Sequence, residues 1–436
     1  MLSPSTKELF ASYVVPTYGR FNLAIARGRG CRVWDEEGKA YLDFGAGIAV
    51  CSIGHAHPRI TEVLDRQSRL LLHTSNLYYT RPQGLLARKL VQLTGHLGKV
   101  FFCNSGAEAN EALYKLARKF GNESAPCPEK HTVGEWVEAG RNRYEIITFD
   151  GSFHGRTLAG IAATGQQKVK TGFEPPVPGF VHVPFNDAPA VVAAISPRTA
   201  AVLVEPIQGE SGILPCDPHF LRTLRSLCDD HGLLLLFDEI QCGLGRTGDW
   251  CGWKTITGDN LMPDAISWAK GIAGGFPMGA VWISDRKTAL KKGGEIPLAD
   301  LLGPGSHGTT FGGTPLACSV ANEVLSVIEE EGLLANAREL GAYARGELKA
   351  IGSPLLKEVR GAGLLIGMEF SEEMAIPGAG GRSPSLALVD LLHAAGLLCV
   401  PSGAHALRWL PPLNVTREEI DEALGILRGV LLSLKA

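Results

Sequence analysis

A chain of 436 residues, 45% hydrophobic and 20% charged, is ordinary for a soluble globular protein and too long for one compact core, so two domains or one large domain with a satellite are expected. A formal net charge of -3, with no Lys/Arg block, argues against nucleic-acid and membrane-surface partners. No uncharged apolar run reaches the roughly 18 residues of a membrane span, and the N-terminus, MLSPSTKELFASYVVPTYGR, lacks the basic start and apolar stretch of a signal peptide.

No repeat of fixed period is present; short apolar runs alternate with helical patterns instead. KVFFCNS (99–105) has strand character. The stretch from Gly106 to Phe120 places Ala109, Ala112, Leu113, Leu116, Ala117 and Phe120 at helical spacing. YEIITFDG (144–151) and AAVLVEPIQG (200–209) are the next strands. DPHFLRTLRSLCDDHG is a helix closed by Gly232, and LLLLFDE a strand buried on both faces. DAISWA and AVWIS complete the set. This alternation predicts an α/β fold: a mainly parallel sheet in a large domain with helices on both faces.

After residue 315 the pattern changes. A helix from Pro315 to Glu331 precedes the strand-like runs GLLIGMEF and GLLCVPSG. The chain ends in TREEIDEALGILRGVLLSLK, where Thr416 and Glu419 form a capping box and Ile420, Leu424, Leu427, Leu431 and Leu434 one apolar stripe. We expect an N-terminal segment (1–60) packing with the small domain, a large domain (61–314) and a smaller α+β domain (315–436). Segments 122–143 and 374–384, rich in Gly, Pro and charge, are expected as surface loops. The ten cysteines are scattered without a C-x-x-C pair, which reads as reduced buried thiols in a cytoplasmic protein without a zinc site.

LLLLFDEIQCGLGRTG (233–248) carries two competing signals. Gly243 to Gly248 spell G-x-G-x-x-G, the outline of a dinucleotide-binding turn. A true fingerprint sits directly on the strand end and opens a helix, with an acid about 20 residues on. Here four residues separate the acid from the first glycine, and DWCGWKTITGDN has no helical period, so a glycine-rich loop is the better reading. Asp238 remains, an acid at the carboxyl end of a buried parallel strand, where open α/β sheets bind ligands. Alone it would be better read as a helix cap or a buried ion-pair partner.

AISWAKGIAGGFPMG (265–279) supplies a second reactive group. Lys270 lies between an apolar strand and a glycine cluster, where loss of water lowers an amine's pKa and frees it for carbonyl chemistry. A lysine of this kind, paired with an acid for a pyridinium nitrogen, is the arrangement that pyridoxal phosphate requires. A phosphate site is then needed. NSGAEANE (104–111) offers one, with Ser105 and Glu108 as a capping box and Gly106 and Ala107 letting backbone N–H groups approach an anion.

With FFCNSGAEANEALYKLARKF, SFHGRTLAGI, VEPIQGESG, LLLLFDEIQCGLGRTG, SWAKGIAGGFPMGA, HGTTFGGTPLAC and RWLPPL in this order, nearly the whole chain resembles the subgroup III, fold-type-I pyridoxal phosphate aminotransferases, nearest to their acetylornithine/ornithine branch. The resemblance implies that Lys270 binds pyridoxal 5'-phosphate covalently and then shuttles the proton between substrate carbon and cofactor. It implies Asp238 at the ring nitrogen, Gln241 at the phenolic oxygen, and Phe153 and Ile240 sandwiching the ring. Ser105, Gly106 and Ala107 would bind the phosphate with Thr310 of the neighbouring subunit, which makes a homodimer the minimal active unit. Arg408 would grip the α-carboxylate of glutamate or 2-oxoglutarate, and Glu210 would neutralise it when an ω-amino substrate binds. Arg156 would hold the distal carboxylate of glutamate or the α-carboxylate of an ornithine-type substrate, with Tyr18 nearby; a packed aromatic is as good a reading of Tyr18.

Two features depart from the family pattern: the apparent insertion at 122–143, and Thr314 where Asn is usual. HTSNLYYTRPQ (73–83) favours the acetylornithine branch. The expected function is transfer of the terminal amine of N-acetylornithine to 2-oxoglutarate, within arginine biosynthesis. Ornithine, N-succinyl-diaminopimelate and 4-aminobutyrate are alternative substrates. A pyridoxal aminomutase, and a non-catalytic protein on the same scaffold, are the competing classes.

Overall fold

Seven strands assemble in the order Gly98–Cys103, Gly279–Ser284, Ala265–Trp268, Leu234–Asp238, Thr199–Val204, Glu145–Phe149 and Phe180–Val183. All but one point the same way; Gly279–Ser284 runs antiparallel to both its neighbours. The sheet is therefore mixed rather than uniformly parallel. The coordinates are a computed structural model that describes residues 4–124, 142–372, 374, 376 and 379–434.

The central strands Thr199–Val204 and Leu234–Asp238 are buried along their whole length. Side chains alternate faces along a strand. Leu235 and Phe237 accordingly join Phe220, Leu221 and Leu224 of the Pro218–His231 helix, while Leu234 and Leu236 join Leu113 and Leu116 of the Gly106–Glu123 helix. Each such Leu or Phe contributes about 1.5–3 kcal/mol on burial. That two-sided covering explains why the run reads as four consecutive leucines. All six apolar positions expected on the Gly106–Glu123 helix are buried. Asp217 caps the other helix through bonds from His219 and Phe220 N–H, and Gly232 closes it in the left-handed region at φ 61°.

A second sheet, antiparallel, orders Leu356–Ala362, Leu365–Phe370, Ala406–Trp409 and Val400–Pro401. GLLCVPSG does not form one strand. Leu397–Leu398 pairs in parallel with Leu42–Asp43, whereas Val400–Pro401 pairs with Ala406–Trp409, with Cys399 buried between. The first pairing closes a sheet with Ile25–Arg29, Arg32–Asp35 and Ala40–Asp43, which supports our proposal that residues 1–60 belong with the C-terminal unit. The C-terminal helix spans Arg417–Ser433 with both capping-box bonds made, and Ile420, Leu424, Leu427 and Leu431 are buried; Leu434 follows as its half-buried cap.

The expected loop at 122–143 needs correction at its start, because Asn122 and Glu123 finish the Gly106–Glu123 helix; residues 125–141 lie outside the described ones. In the 374–384 segment, Met374 and Ile376 are buried, and Pro384 already begins the Pro384–Ala394 helix. At 243–248 the chain forms turns, and no helix begins before Gly252. There Arg246 is buried and donates to the Pro411 and Leu364 carbonyls, so the loop ties the large sheet to the C-terminal unit. Among the described residues no helix is long and apolar enough to cross a membrane, and no cluster of His, Cys, Asp or Glu is placed to hold a metal.

Candidate active site

A cavity of about 360 Å³ opens at the carboxyl end of the central strands and takes walls from five separate motifs and Val50. Its base is Asp238, which ends the Leu234–Asp238 strand and is only 4% exposed. Three N–H groups meet this carboxylate. Asn110 Nδ2 at 2.7 Å and His154 Nδ1 at 2.8 Å reach Oδ2, and the Ile240 N–H reaches Oδ1 at 3.1 Å.

Ser105, Gly106 and Ala107 line the same cavity, at the start of the Gly106–Glu123 helix. Ser105 Oγ accepts from Glu108 N–H, but the reciprocal half of the expected capping box is absent: Glu108 accepts from the Asn104 N–H at 2.5 Å, one residue earlier. The helix dipole and the N–H groups of this first turn suit an anion. A Cβ on Gly106 would stand 2.8 Å from Ile240 Cδ1 and force that side chain to shift, so glycine lets the helix start pack close to the strand-end loop.

Lys270 follows the Ala265–Trp268 strand in the left-handed region, at φ 45°, and lines the cavity beside Glu210 and Gln241. Burial is the largest influence on its amine and pushes its pKa below the ordinary lysine value. The charge of Glu210 opposes that shift and that of Arg408 reinforces it. Phe153 and Ile240 also line the cavity, and the Arg156 guanidinium lies 5.6 Å from the Phe153 ring centroid.

Arg408, 3% exposed on the Ala406–Trp409 strand, faces Glu210 in a two-bond fork, Nη1 to Oε1 at 2.7 Å and Nη2 to Oε2 at 2.9 Å. It also donates to Gln241 Oε1 at 3.0 Å and to the Gly209 carbonyl at 2.8 Å. Burial alone would raise the Glu210 pKa; the Arg408 charge and hydrogen bond, with Lys270 and Gln241, outweigh it and leave the carboxyl below its ordinary value. Arg156, by contrast, is exposed, and no ion pair to it is found among the described residues.

Two expected residues lie elsewhere. Tyr18 is 74% exposed and stands near Arg20, and Thr310 is exposed in a separate small cleft with His73, Asn76 and Gly312; neither lines the cavity of its own chain. Thr314, the unusual residue of its motif, caps the Pro315–Glu330 helix by accepting from Ala317 N–H. Sequence reading missed Asn110, His154 and Glu205. Asn110 sits four positions after Gly106, hence on the same helix face; His154 follows Phe153; and Glu205 is the first acid of EPIQGE. Glu205 accepts from the N–H groups of Phe153 and Gly209, tying two walls together, and burial pushes its pKa up to about 7.

The donor set is specific. A buried amine of lowered pKa, a strand-end carboxylate to face a ring N–H, and a glycine-opened helix start to face a phosphate match the three polar ends of pyridoxal phosphate. Fold and site together define a pyridoxal phosphate enzyme of the mixed-sheet α/β type.

The chain belongs to the class-III aminotransferases, whose family model matches residues 13–431. It is 45% identical to the acetylornithine aminotransferase of Nostoc sp., over all of this chain and 95% of that protein. Among solved structures, the N-acetylornithine aminotransferase of Stenotrophomonas maltophilia matches with a TM-score of 0.76 at 34% identity, covering 98% of each chain. An ornithine aminotransferase of Toxoplasma gondii, with pyridoxal phosphate at partial occupancy in its active site, matches with a TM-score of 0.85 at 32% identity, covering 98% of this chain and 94% of that one.

Proposed function

We propose that the enzyme transfers the terminal amine of N-acetylornithine to 2-oxoglutarate, giving the semialdehyde and glutamate in arginine biosynthesis. One observation carries this reading: Arg408 is neutralised in a fork by Glu210, which lines the cavity, while Arg156 lines it too, without an ion partner among the described residues. An ω-amino substrate carries no carboxylate on its reacting carbon, so the cavity must hide one guanidinium while the other takes the distant α-carboxylate. Glutamate carries two carboxylates and needs both cations. A Glu210 side chain that swings aside exposes Arg408 for that half-reaction; a buried guanidinium left with neither partner would be unfavourable by several kcal/mol.

Bound pyridoxal phosphate supplies an electron sink for the carbon that loses its proton. Lys270 would hold the cofactor and, with its amine of lowered pKa, move the proton between the substrate's amine-bearing carbon and cofactor C4′. Asp238 would keep the ring nitrogen protonated and Gln241 would meet the phenolic oxygen. Phe153 and Ile240 would hold the ring between them, and Ser105, Gly106 and Ala107 the phosphate. Relatives at 41–45% identity that carry the acetylornithine aminotransferase name support the substrate. The paired cations argue against an aminomutase, which needs no dicarboxylate acceptor.

A homodimer is part of the proposal. Leu77, Tyr78, Tyr79 and Phe311 are all exposed, and the stretch before Leu77 is pinned to the 310–313 loop by Asn76 donating to the Gly312 carbonyl and by the His73–Phe311 ring contact. An apolar surface of this kind suits a subunit interface, and the exposed Thr310 of the same loop would then serve a second copy's phosphate site. We assign the enzyme to the cytoplasm, a reading supported by the free, mostly buried thiols among the described residues. The test is an amino-donor panel with 2-oxoglutarate, reading glutamate formed. N-acetylornithine is expected well ahead of ornithine, N-succinyl-diaminopimelate and 4-aminobutyrate; the reverse order would overturn the substrate.

A further inference from the structure

Asp238 is served by a side chain outside the roles described so far. We infer that His154 is a positioning residue for Asp238, its Nδ1–H holding one carboxylate oxygen so that the other is presented to the cofactor's ring nitrogen. The inference rests on the proposed placement of that nitrogen at Asp238.

The oxygens of Asp238 are served unequally. Oδ2 takes two short bonds, from Asn110 at 2.7 Å and His154 at 2.8 Å; Oδ1 takes one longer bond from the Ile240 N–H at 3.1 Å. Two donors on Oδ2 saturate it and fix the carboxylate's rotation, which leaves Oδ1 with room for a further donor. The short contact also sets the tautomer. A ring nitrogen lone pair at 2.8 Å from a carboxylate oxygen would be repelled, so Nδ1 carries the hydrogen.

His154 is itself held from three sides. Its N–H donates to Thr164 Oγ1 at 2.9 Å, and its carbonyl accepts from Asn110 Nδ2 at 2.9 Å and Tyr114 Oη at 3.2 Å. Asn110, which bridges histidine and acid, is oriented in turn by Ser267 Oγ on the neighbouring strand at 2.8 Å. The imidazole is 0% exposed, and its Nε2 has no hydrogen-bond partner among the described residues. A packing residue would be better served here by an apolar ring. A donor to Asp238 accounts for histidine at this position.

The test reads equilibrium binding, without substrate, of pyridoxal phosphate and of its analogue with C–H in place of the ring nitrogen. Wild type is expected to prefer the natural cofactor. In His154→Phe, which keeps the ring's bulk and removes the donor, that preference should fall about tenfold, the scale of a hydrogen bond to a charged group. His154→Asn, whose amide N–H stands near the place of Nδ1, should keep most of it. His154→Gln, whose amide reaches the place of Nε2 instead, should lose it, and this pair decides the matter if the phenylalanine variant does not fold. A packing role predicts the opposite order, with phenylalanine harmless and asparagine damaging, and that order overturns the inference. Asp238→Ala separates the two levels: if it kept the wild-type preference, the placement of the ring nitrogen would be wrong, whatever His154 does.

Discussion

Three acids follow the carboxyl ends of the two central strands, and each meets a different fate. Asp238 collects three N–H donors, Glu210 is held below its ordinary pKa by Arg408 against the pull of burial, and Glu239 has no cation to offset its burial. Burial pushes the Glu239 pKa up to about 7, although its Oε1 accepts from Trp253 N–H at 2.7 Å. Between about pH 4.3, the unperturbed value, and pH 7 the folded chain therefore holds a proton that the unfolded chain releases. Glu239 stabilises fully below that window, and its contribution is lost as pH rises through 7. Glu239→Gln keeps an acceptor for Trp253 and removes the titration. Its thermal stability relative to wild type should rise between pH 6 and pH 8, by about 1 kcal/mol. A constant difference across that range would show that Glu239 does not take up a proton on folding. The same contrast explains what was legible at this scale. Asp238 and Lys270 could be read from the sequence because each breaks an apolar run. His154 and Glu205 sat inside quoted motifs, yet nothing in a linear pattern tells which polar residue of a motif bonds another 84 or 52 positions away.

At the level of elements, the helix that opens on Gly106 shows how local sequence positions chemistry. Ser105 caps it, six apolar residues bury one face against the sheet, and Gly106 lets the first turn approach Ile240. Gly106→Ala should cost the helix nothing intrinsically, since alanine is the better helix former. Its Cβ would meet Ile240 Cδ1 at 2.8 Å and Cγ2 at 3.1 Å, displacing a wall of the cofactor cavity. Cofactor affinity should therefore fall on the order of tenfold while the melting temperature of the cofactor-free enzyme holds, a difference of about 1.4 kcal/mol confined to binding. Equal losses in both would place the effect in the fold rather than the site. Period and caps made this helix and the Pro218–His231 helix readable in advance. Pairing partners were not readable. GLLCVPSG looks like one strand, and only the meeting of Leu397–Leu398 with Leu42–Asp43, more than 350 positions apart, divides it between two sheets.

For the whole molecule, the open question is whether one chain makes a complete site. Its cavity contains every cofactor-facing residue inferred from the sequence except Thr310, which sits exposed beside an apolar surface built from Leu77, Tyr78, Tyr79 and Phe311. If a twofold dimer buries that surface, Thr310 of one copy serves the phosphate of the other, and lesions in the two parts complement across the interface. Lys270→Ala disables a chain's own site; Thr310→Asp puts a like charge at the partner's phosphate. Each homodimer should be inactive at limiting cofactor. Mixed after mild dissociation, half the dimers become hybrids in which one site carries both lesions and the other carries neither, so about a quarter of the wild-type activity should return. Were Thr310 to act within its own chain, every site of the hybrid would carry one lesion and mixing would restore nothing. Sedimentation of the same mixtures shows whether exchange took place, so a silent mixture of exchanged hybrids counts against the shared site and against it alone.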